Sequence, residues 1–255
     1  MKRIAVKIGS NVLTRPDGTL DVTRMSAITD QVAELHKRGI QVIMVSSGAV
    51  ASGRSEMQPS HLLDEVSSRQ LYSAIGQAKL MGKYYTLFRE HGIVCGQVLT
   101  TKEGLDKEDH YLNQQHCMEV MLDEGVIPIV NENDTLSITE LMFTDNDELS
   151  GIMAEMMHVE LLVVLSNVDG VYDGAPSEPG SKVIRRVSTA TEDLTGYIKA
   201  EKSSHGRGGM LTKYRIACNV AAKGIPVVIA NGRREDILLR VVDDPEGTAC
   251  TQFVP

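Results

Sequence analysis

The sequence predicts an α/β fold, an open and mostly parallel β-sheet sandwiched between helices. Three observations predict it. Short runs rich in Val and Ile alternate with longer amphipathic stretches. Four of those stretches end in a glycine that leads into the next apolar run, in HKRGIQVIMV, FREHGIVCGQV, LDEGVIPIV and AAKGIPVVIA. Small, polar and glycine residues collect just after the apolar runs. Runs that are apolar on both faces suit parallel strands. Helix, glycine and strand in repeated succession is the pattern of βα units, whose helices cover both faces of the sheet.

In chain order, residues 4–8 form the first predicted strand, followed by a helix over 24–38 and a strand over 40–45. SSGAVASGR then turns into a short helix, and a long helix follows over 67–91. A strand over 93–99, a helix over 110–124 and a strand over 126–130 come next. Residues 136–144 mix apolar and polar positions in near alternation, which predicts a hairpin. A helix over 148–157 leads to a strand over 161–165. Gly and Pro make 169–182 a loop. A helix over 210–223 and a strand over 225–230 close the pattern. Gly39, Gly92, Gly125 and Gly224 read as helix C′ residues, where the left-handed conformation costs glycine little. No composition break marks a linker, so residues 1–255 read as a single domain.

Composition narrows the function classes. The chain has 255 residues, with 26 Lys and Arg against 34 Asp and Glu, a net charge of −8. That balance argues against a surface built to neutralise a long nucleic-acid footprint, and it leaves room for a local basic pocket. With 42% hydrophobic and 24% charged residues the chain is an ordinary globular one, large enough to need no disulfide or metal staple. Four cysteines without a CxxC, and an N-terminus that runs straight into a strand pattern, predict reduced thiols in a cytoplasmic protein. No apolar run approaches the roughly 20 residues of a membrane span. The seven histidines show no HExxH spacing, so a histidine metal site or a Ser–His–Asp triad has little support.

In open α/β sheets ligands lie outside the carboxyl ends of the strands. The predicted strands are followed there by KIGSN, SSGAVASGR, NENDT, SNVDGVY and NGR, a collection that suits a phosphate-bearing ligand. Lys7 sits inside an apolar strand, where an ammonium is costly without an anion. Either it reaches phosphoryl oxygens while Gly9 and Ser10 offer backbone N–H groups, or it snorkels to water from the strand end. SSGAVASGR is either an anion site at a helix start or a tight turn chosen for packing. The cluster of Asn131, Asn133, Asp134, Asp145, Asn146 and Asp147 exceeds what helix capping requires. Acid and amide groups opposite lysines suit an α-amino group and a metal–phosphate. In HGRGGMLTK, Gly206, Gly208 and Gly209 precede a helix with Lys213 one turn in, the arrangement of a phosphate cradle backed by a cation. No Walker A loop and no EF-hand loop occurs.

VKIGSNVL, VSSGAVASGR, SSRQLYSAIGQAKLM, VIPIVNENDT, DNDELS, VDGVY and GRGGMLTK follow one another over nearly the whole chain. In that order they resemble the amino-acid kinase superfamily and, within it, the glutamate 5-kinase family. NEND followed by DND and GGMLTK is a combination that acetylglutamate kinase and aspartokinase lack. The resemblance implies a carbamate kinase-like fold, ATP as co-substrate with Mg²⁺, and phosphorylation of the γ-carboxylate of L-glutamate in proline biosynthesis. It implies that Lys7 and Lys213 contact the transferring phosphoryl group, and that Asp147 orients both lysines and helps place Mg²⁺. Ser47, Asp134 and Asn146 would bind L-glutamate. Lys7, Gly9, Ser166, Asn167, Arg207, Gly208, Gly209, Met210, Leu211, Thr212 and Lys213 would hold the nucleotide.

Two departures stand out. Ser166 and Asn167 replace a common Thr-Asp pair. Arg207 replaces a common Thr and adds a cation near the nucleotide. The resemblance further implies a homo-oligomer, feedback inhibition by proline, no nucleic-acid or membrane partner, and a single kinase domain without a C-terminal PUA domain. Two rival readings share the fold: a kinase for another acceptor, such as aspartate, acetylglutamate or a nucleotide monophosphate, and a non-catalytic amino-acid sensor. Two lysines with an aspartate weigh against the sensor.

Overall fold

The computed structural model describes residues 1–136, 146–188 and 209–255. The strands are β1 (Arg3–Ile8), β2 (Gln41–Ser46), β3 (Cys95–Thr100), β4 (Ile127–Glu132), β5 (Leu161–Ser166), β6 (Arg186–Ser188), β7 (Val227–Asn231) and β8 (Cys250–Val254). They form one sheet in the order β3-β4-β2-β1-β5-β7-β8-β6. The pairs from β3 through β7 are parallel, and β8 runs antiparallel to β7. The helices are α1 (Ser10–Leu13), α2 (Val22–Lys37), α3 (Ala49–Arg54), α4 (Glu65–Glu90), α5 (Lys102–Leu105), α6 (Glu108–Asp123), α7 (Asn146–Met156), α8 (Met210–Ala222) and α9 (Ile237–Asp243). Within the described residues no helix is long and apolar enough to cross a membrane.

Side-chain alternation along β1 assigns the two faces of the sheet. Ile4, Val6 and Ile8 join the core under α2, α4 and α9. Ala5 joins the opposite core, under α6, α7 and α8. Lys7, two residues on from Ala5, therefore leaves the strand toward α7 and α8. The six strands expected from their apolar runs are all present, and the four C′ glycines have φ between +71° and +90°.

Three features depart from the sequence expectation. β3 is an edge strand rather than one buried on both faces, with Gln97 and Leu99 exposed. β6 and β8 carried no strand signal that the sequence pattern could separate from loop. They are short, and β8 is held by its antiparallel ladder to β7. The expected hairpin over 136–144 lies almost wholly outside the described residues.

Helices α3 and α4 cross at two glycines. A Cβ on Gly76 would stand 1.8 Å from the Ala49 carbonyl oxygen, and one on Gly53 would stand 1.9 Å from that of Tyr72. These are backbone atoms, so only glycine lets the two helices approach so closely. Gly82, on the exposed side of the same helix, has nothing within 4 Å of its Cβ position. Gly76→Ala is expected to lower the melting temperature by roughly 5 °C or more through overpacking. Gly82→Ala is expected to stabilise by about 0.5–1 kcal/mol, since alanine restricts the unfolded chain and suits a helix. Thermal melts of the two variants check the contrast, and equal shifts would contradict this account of the α3–α4 crossing.

Candidate active site

The strand order reverses at β1. From there the chain proceeds outward through β2 on one side and β5 on the other, which makes the carboxyl ends of these strands the natural ligand crevice. Lys7 is the penultimate residue of β1 and is 4% exposed. Asp147 is the second residue of α7 and is 1% exposed. Lys213 lies in the first turn of α8 and is 9% exposed. The Lys7 ammonium pairs with Asp147 Oδ1, and Lys213 Nζ donates to Asp147 Oδ2 at 2.9 Å. Residues 7, 147 and 213 are thus one buried cluster, with one oxygen of the carboxylate assigned to each cation.

Burial alone would push the Asp147 carboxyl up. The charges of Lys7 and Lys213, and the hydrogen bonds they donate, outweigh burial and hold it well below the usual carboxylate range. The carboxylate between the two buried lysines compensates both of their charges at once.

A second group converges beside it. Asn146, the first residue of α7, donates through Nδ2 to Ser47 Oγ at 3.0 Å and to Asn131 Oδ1 at 3.0 Å. The Glu132 backbone N–H also donates to Asn131 Oδ1, which fixes the orientation of that amide. Asn131 Nδ2 donates in turn to Gln77 Oε1 on α4. Ser47 is itself anchored by its N–H to the Ile8 carbonyl at the end of β1. Asp134 stands just past β4, 6% exposed, and accepts from Arg69 Nε at 2.6 Å. Ser47 and Asp134 therefore sit at the ends of β2 and β4, and Asn146, next to Asp147 at the start of α7, joins Ser47 to the cluster of the two lysines.

The residues expected on the nucleotide side are placed as follows. Ser166 ends β5 and is buried, and Asn167 follows it, exposed. Gly9 lies against β5, but its N–H donates to the Leu165 carbonyl at 3.2 Å and is not offered to a ligand. Its value lies in its missing side chain, since a Cβ would stand 3.2 Å from Leu165 O and 3.7 Å from Lys7 Nζ. Gly209 precedes α8 in extended conformation. Met210 and Leu211 pack against the core beneath α8, so of those two residues the backbone rather than the side chain faces any ligand. Arg207 and Gly208 lie outside the described residues, as do Asp145 and Gly206.

Sequence reasoning assigned no role to Arg69, Gln77 or Glu132, or to the cluster after β5 and β7. In that cluster Asp169 accepts two hydrogen bonds from Arg234, each at 2.6 Å, and one from Asn231 at 3.0 Å. Those pairs span 62 or more positions and leave no local pattern to read.

Among the described residues no group of three or more His, Cys, Asp and Glu could hold a metal ion. Asp147 is committed to two lysines.

The model of the amino acid kinase family matches residues 2–231. The chain belongs to that family. It is 63% identical over 253 residues to a glutamate 5-kinase of Bacteroides thetaiotaomicron, covering 99% of this chain and 70% of that relative. It is 42% identical to a glutamate 5-kinase of Symbiobacterium thermophilum, covering 96% and 94% of the two chains. Within the family it groups with the glutamate 5-kinases. The crystal structure of a UMP kinase from Ureaplasma parvum superposes with a TM-score of 0.64 at 15% identity, covering 100% of this chain and 99% of the other, which is a likeness of fold.

Asp147→Asn removes the charge and keeps the shape. At pH 7 the variant is expected to lose about 3 kcal/mol or more, because two buried ammonium groups lose their shared counter-charge. The folded carboxyl binds its proton less readily than the unfolded one, so the stabilisation is fully present above the ordinary carboxylate value. It declines as the pH falls below about 4. Urea unfolding at pH 7 and pH 3.5 checks this; a gap between wild type and variant that is as wide at the lower pH contradicts it.

Proposed function

We propose that Lys7, Asp147 and Lys213 form the phosphoryl-transfer centre of a glutamate 5-kinase, which phosphorylates the γ-carboxylate of L-glutamate at the expense of ATP to give L-glutamyl 5-phosphate and ADP. The observation that carries the reading is the burial of two ammonium groups on one carboxylate at the carboxyl ends of the central strands. A packed core has no use for such a pair of cations. An anion-transferring site has.

The acceptor is a carboxylate with an ordinary pKa of about 4.3, so near neutral pH it is already a nucleophile. No general base is needed, and the reading assigns none. One carboxylate oxygen forms a bond to the γ-phosphorus as the bond to the β–γ bridging oxygen breaks, and ADP leaves with that electron pair. The obstacle is the approach of two anions, and the remedy is charge and alignment. Lys7 and Lys213 offset that repulsion. Asp147 keeps each ammonium on its own side, and their mutual repulsion is relieved by the carboxylate between them. Mg²⁺, which the glutamate 5-kinases require, neutralises phosphate charge when it is bound with the nucleotide.

Ser47, Asn146 and Asp134 hold the amino-acid substrate, and Ser166, Asn167 and the backbone from Gly209 onward contact the nucleotide. The product is an acyl phosphate that water destroys, so the site must close. The loop over 169–182 is the closing element this reading favours among the described residues.

The same reading takes residues 1–255 as one kinase domain, working in the cytoplasm where ATP and free glutamate are found, inhibited by proline and associated with a second copy of itself. Exposed Leu99 on the edge strand, with Leu112 and Val120 exposed on one face of α6, supports the association.

Purified protein given ATP, Mg²⁺, L-glutamate and hydroxylamine is expected to accumulate γ-glutamyl hydroxamate. Aspartate and N-acetylglutamate are expected to give far less. Absence of trapped product, with glutamate bound, would favour a non-catalytic sensor. Lys213→Ala is expected to lower kcat by roughly 10²-fold or more, the loss of one preorganised charge contact. Near-normal turnover in that variant would remove Lys213 from the mechanism.

A further inference from the structure

At the far end of the amino-acid side of the site, the start of α4 grips the segment that follows β4. Asp64 caps the helix, accepting from the Ser67 N–H at 2.9 Å. One turn on, the Arg69 guanidinium meets two carboxylates at once. Its Nε donates to Asp134 Oδ1 at 2.6 Å, and its Nη2 donates to Glu132 Oε2 at 2.9 Å. The next residue, Gln70, donates through Nε2 to the Thr135 carbonyl at 3.0 Å. Two successive helical side chains thus hold residues 132–135 from one side. From the other side the Asn133 N–H donates to the Thr100 carbonyl at 2.7 Å.

Glu132 and Asp134 are 4% and 6% exposed, and the Arg69 side chain is 18% exposed. Two buried carboxylates so close in sequence repel each other, and the guanidinium between them offsets that repulsion. A planar fork satisfies both with fixed geometry, as a single point charge does not.

We propose that Arg69 is a positioning residue for the acceptor: it ties down the Asp134 carboxylate and fixes its direction for the α-ammonium group of the amino-acid substrate. This rests on the reading of Asp134 as a substrate contact given above. Arg69 does not touch the reacting atoms. It acts on recognition of the free amino group, so its loss weakens the binding of an acceptor that carries an ammonium and spares one that does not.

The test compares L-glutamate with glutarate, which keeps both carboxylates and lacks the amino group. KM for glutamate is measured in wild type, Arg69→Gln and Arg69→Lys, together with KM for ATP, kcat, and the inhibition constant of glutarate against glutamate. In Arg69→Gln the KM for glutamate is expected to rise roughly 10- to 100-fold, the range for losing a charged hydrogen bond. kcat and the KM for ATP change far less, and the glutarate constant stays within about 2-fold of wild type. Arg69→Lys, which keeps the charge and loses the fork, is expected to recover only part of the glutamate KM. If Arg69→Gln does not fold, Arg69→Lys carries the same comparison with a smaller shift in the glutamate KM.

An unchanged glutamate KM, or equal weakening of glutamate and glutarate, overturns the proposal. Equal weakening would make Arg69 a purely structural tie. A wild-type protein that does not phosphorylate glutamate defeats the functional reading itself and is distinguished by the first measurement.

Discussion

A carboxylate placed between two ammonium groups in a nearly water-free site is the interaction on which the rest of this molecule turns. Each member alone would be costly to bury, because a lone charge in a low-dielectric interior forfeits its hydration. Together Lys7, Asp147 and Lys213 compensate one another, and the compensation requires three distant chain segments to arrive at one point. β1 brings the first lysine, the start of α7 the aspartate, and the first turn of α8 the second lysine. The fold can be read as the device that makes this meeting possible. Its sheet places β1 centrally between β2 and β5, and alternation along β1 aims residue 7 at the α7–α8 face.

The cluster also explains how a site can be both stable and reactive. Without substrate, one anion satisfies two cations. In the proposed phosphoryl transfer, the incoming phosphoryl group is a second anion for the two cations to share while the aspartate keeps them apart. The neighbouring group around Asn146 is built on a different principle. Its hydrogen bonds form a directed chain from Gln77 through Asn131 to Asn146 and Ser47, and the orientation of the Asn131 amide is fixed by a backbone N–H.

Much of this was legible in the sequence, for identifiable reasons. The central strands announce themselves because burial on both faces leaves an unbroken Val and Ile run, and the helix ends because a left-handed residue there favours glycine. Lys7 stood out as a charge inside an apolar strand, Asp147 as a member of a dense acid and amide cluster, and Lys213 as a cation one turn into a helix behind a glycine-rich stretch. What stayed hidden is nonlocal. The two-fold grip of Arg69 on Glu132 and Asp134, and that of Arg234 on Asp169, join residues more than 60 positions apart and have no periodic trace. β8 was missed because a short strand whose register comes from β7 carries little pattern of its own. The expected N–H contribution of Gly9 failed because the sheet claims that donor first.

The most direct measurement of whether the two lysines serve a single phosphoryl tail is a double-mutant cycle on kcat/KM with Lys7→Ala, Lys213→Ala and the pair. Residues that act on one group as a unit are strongly non-additive. The account predicts that the double variant loses little more than the more damaging single one. A double variant whose loss equals the product of the two single losses would mean that the ammonium groups act independently, and would contradict it.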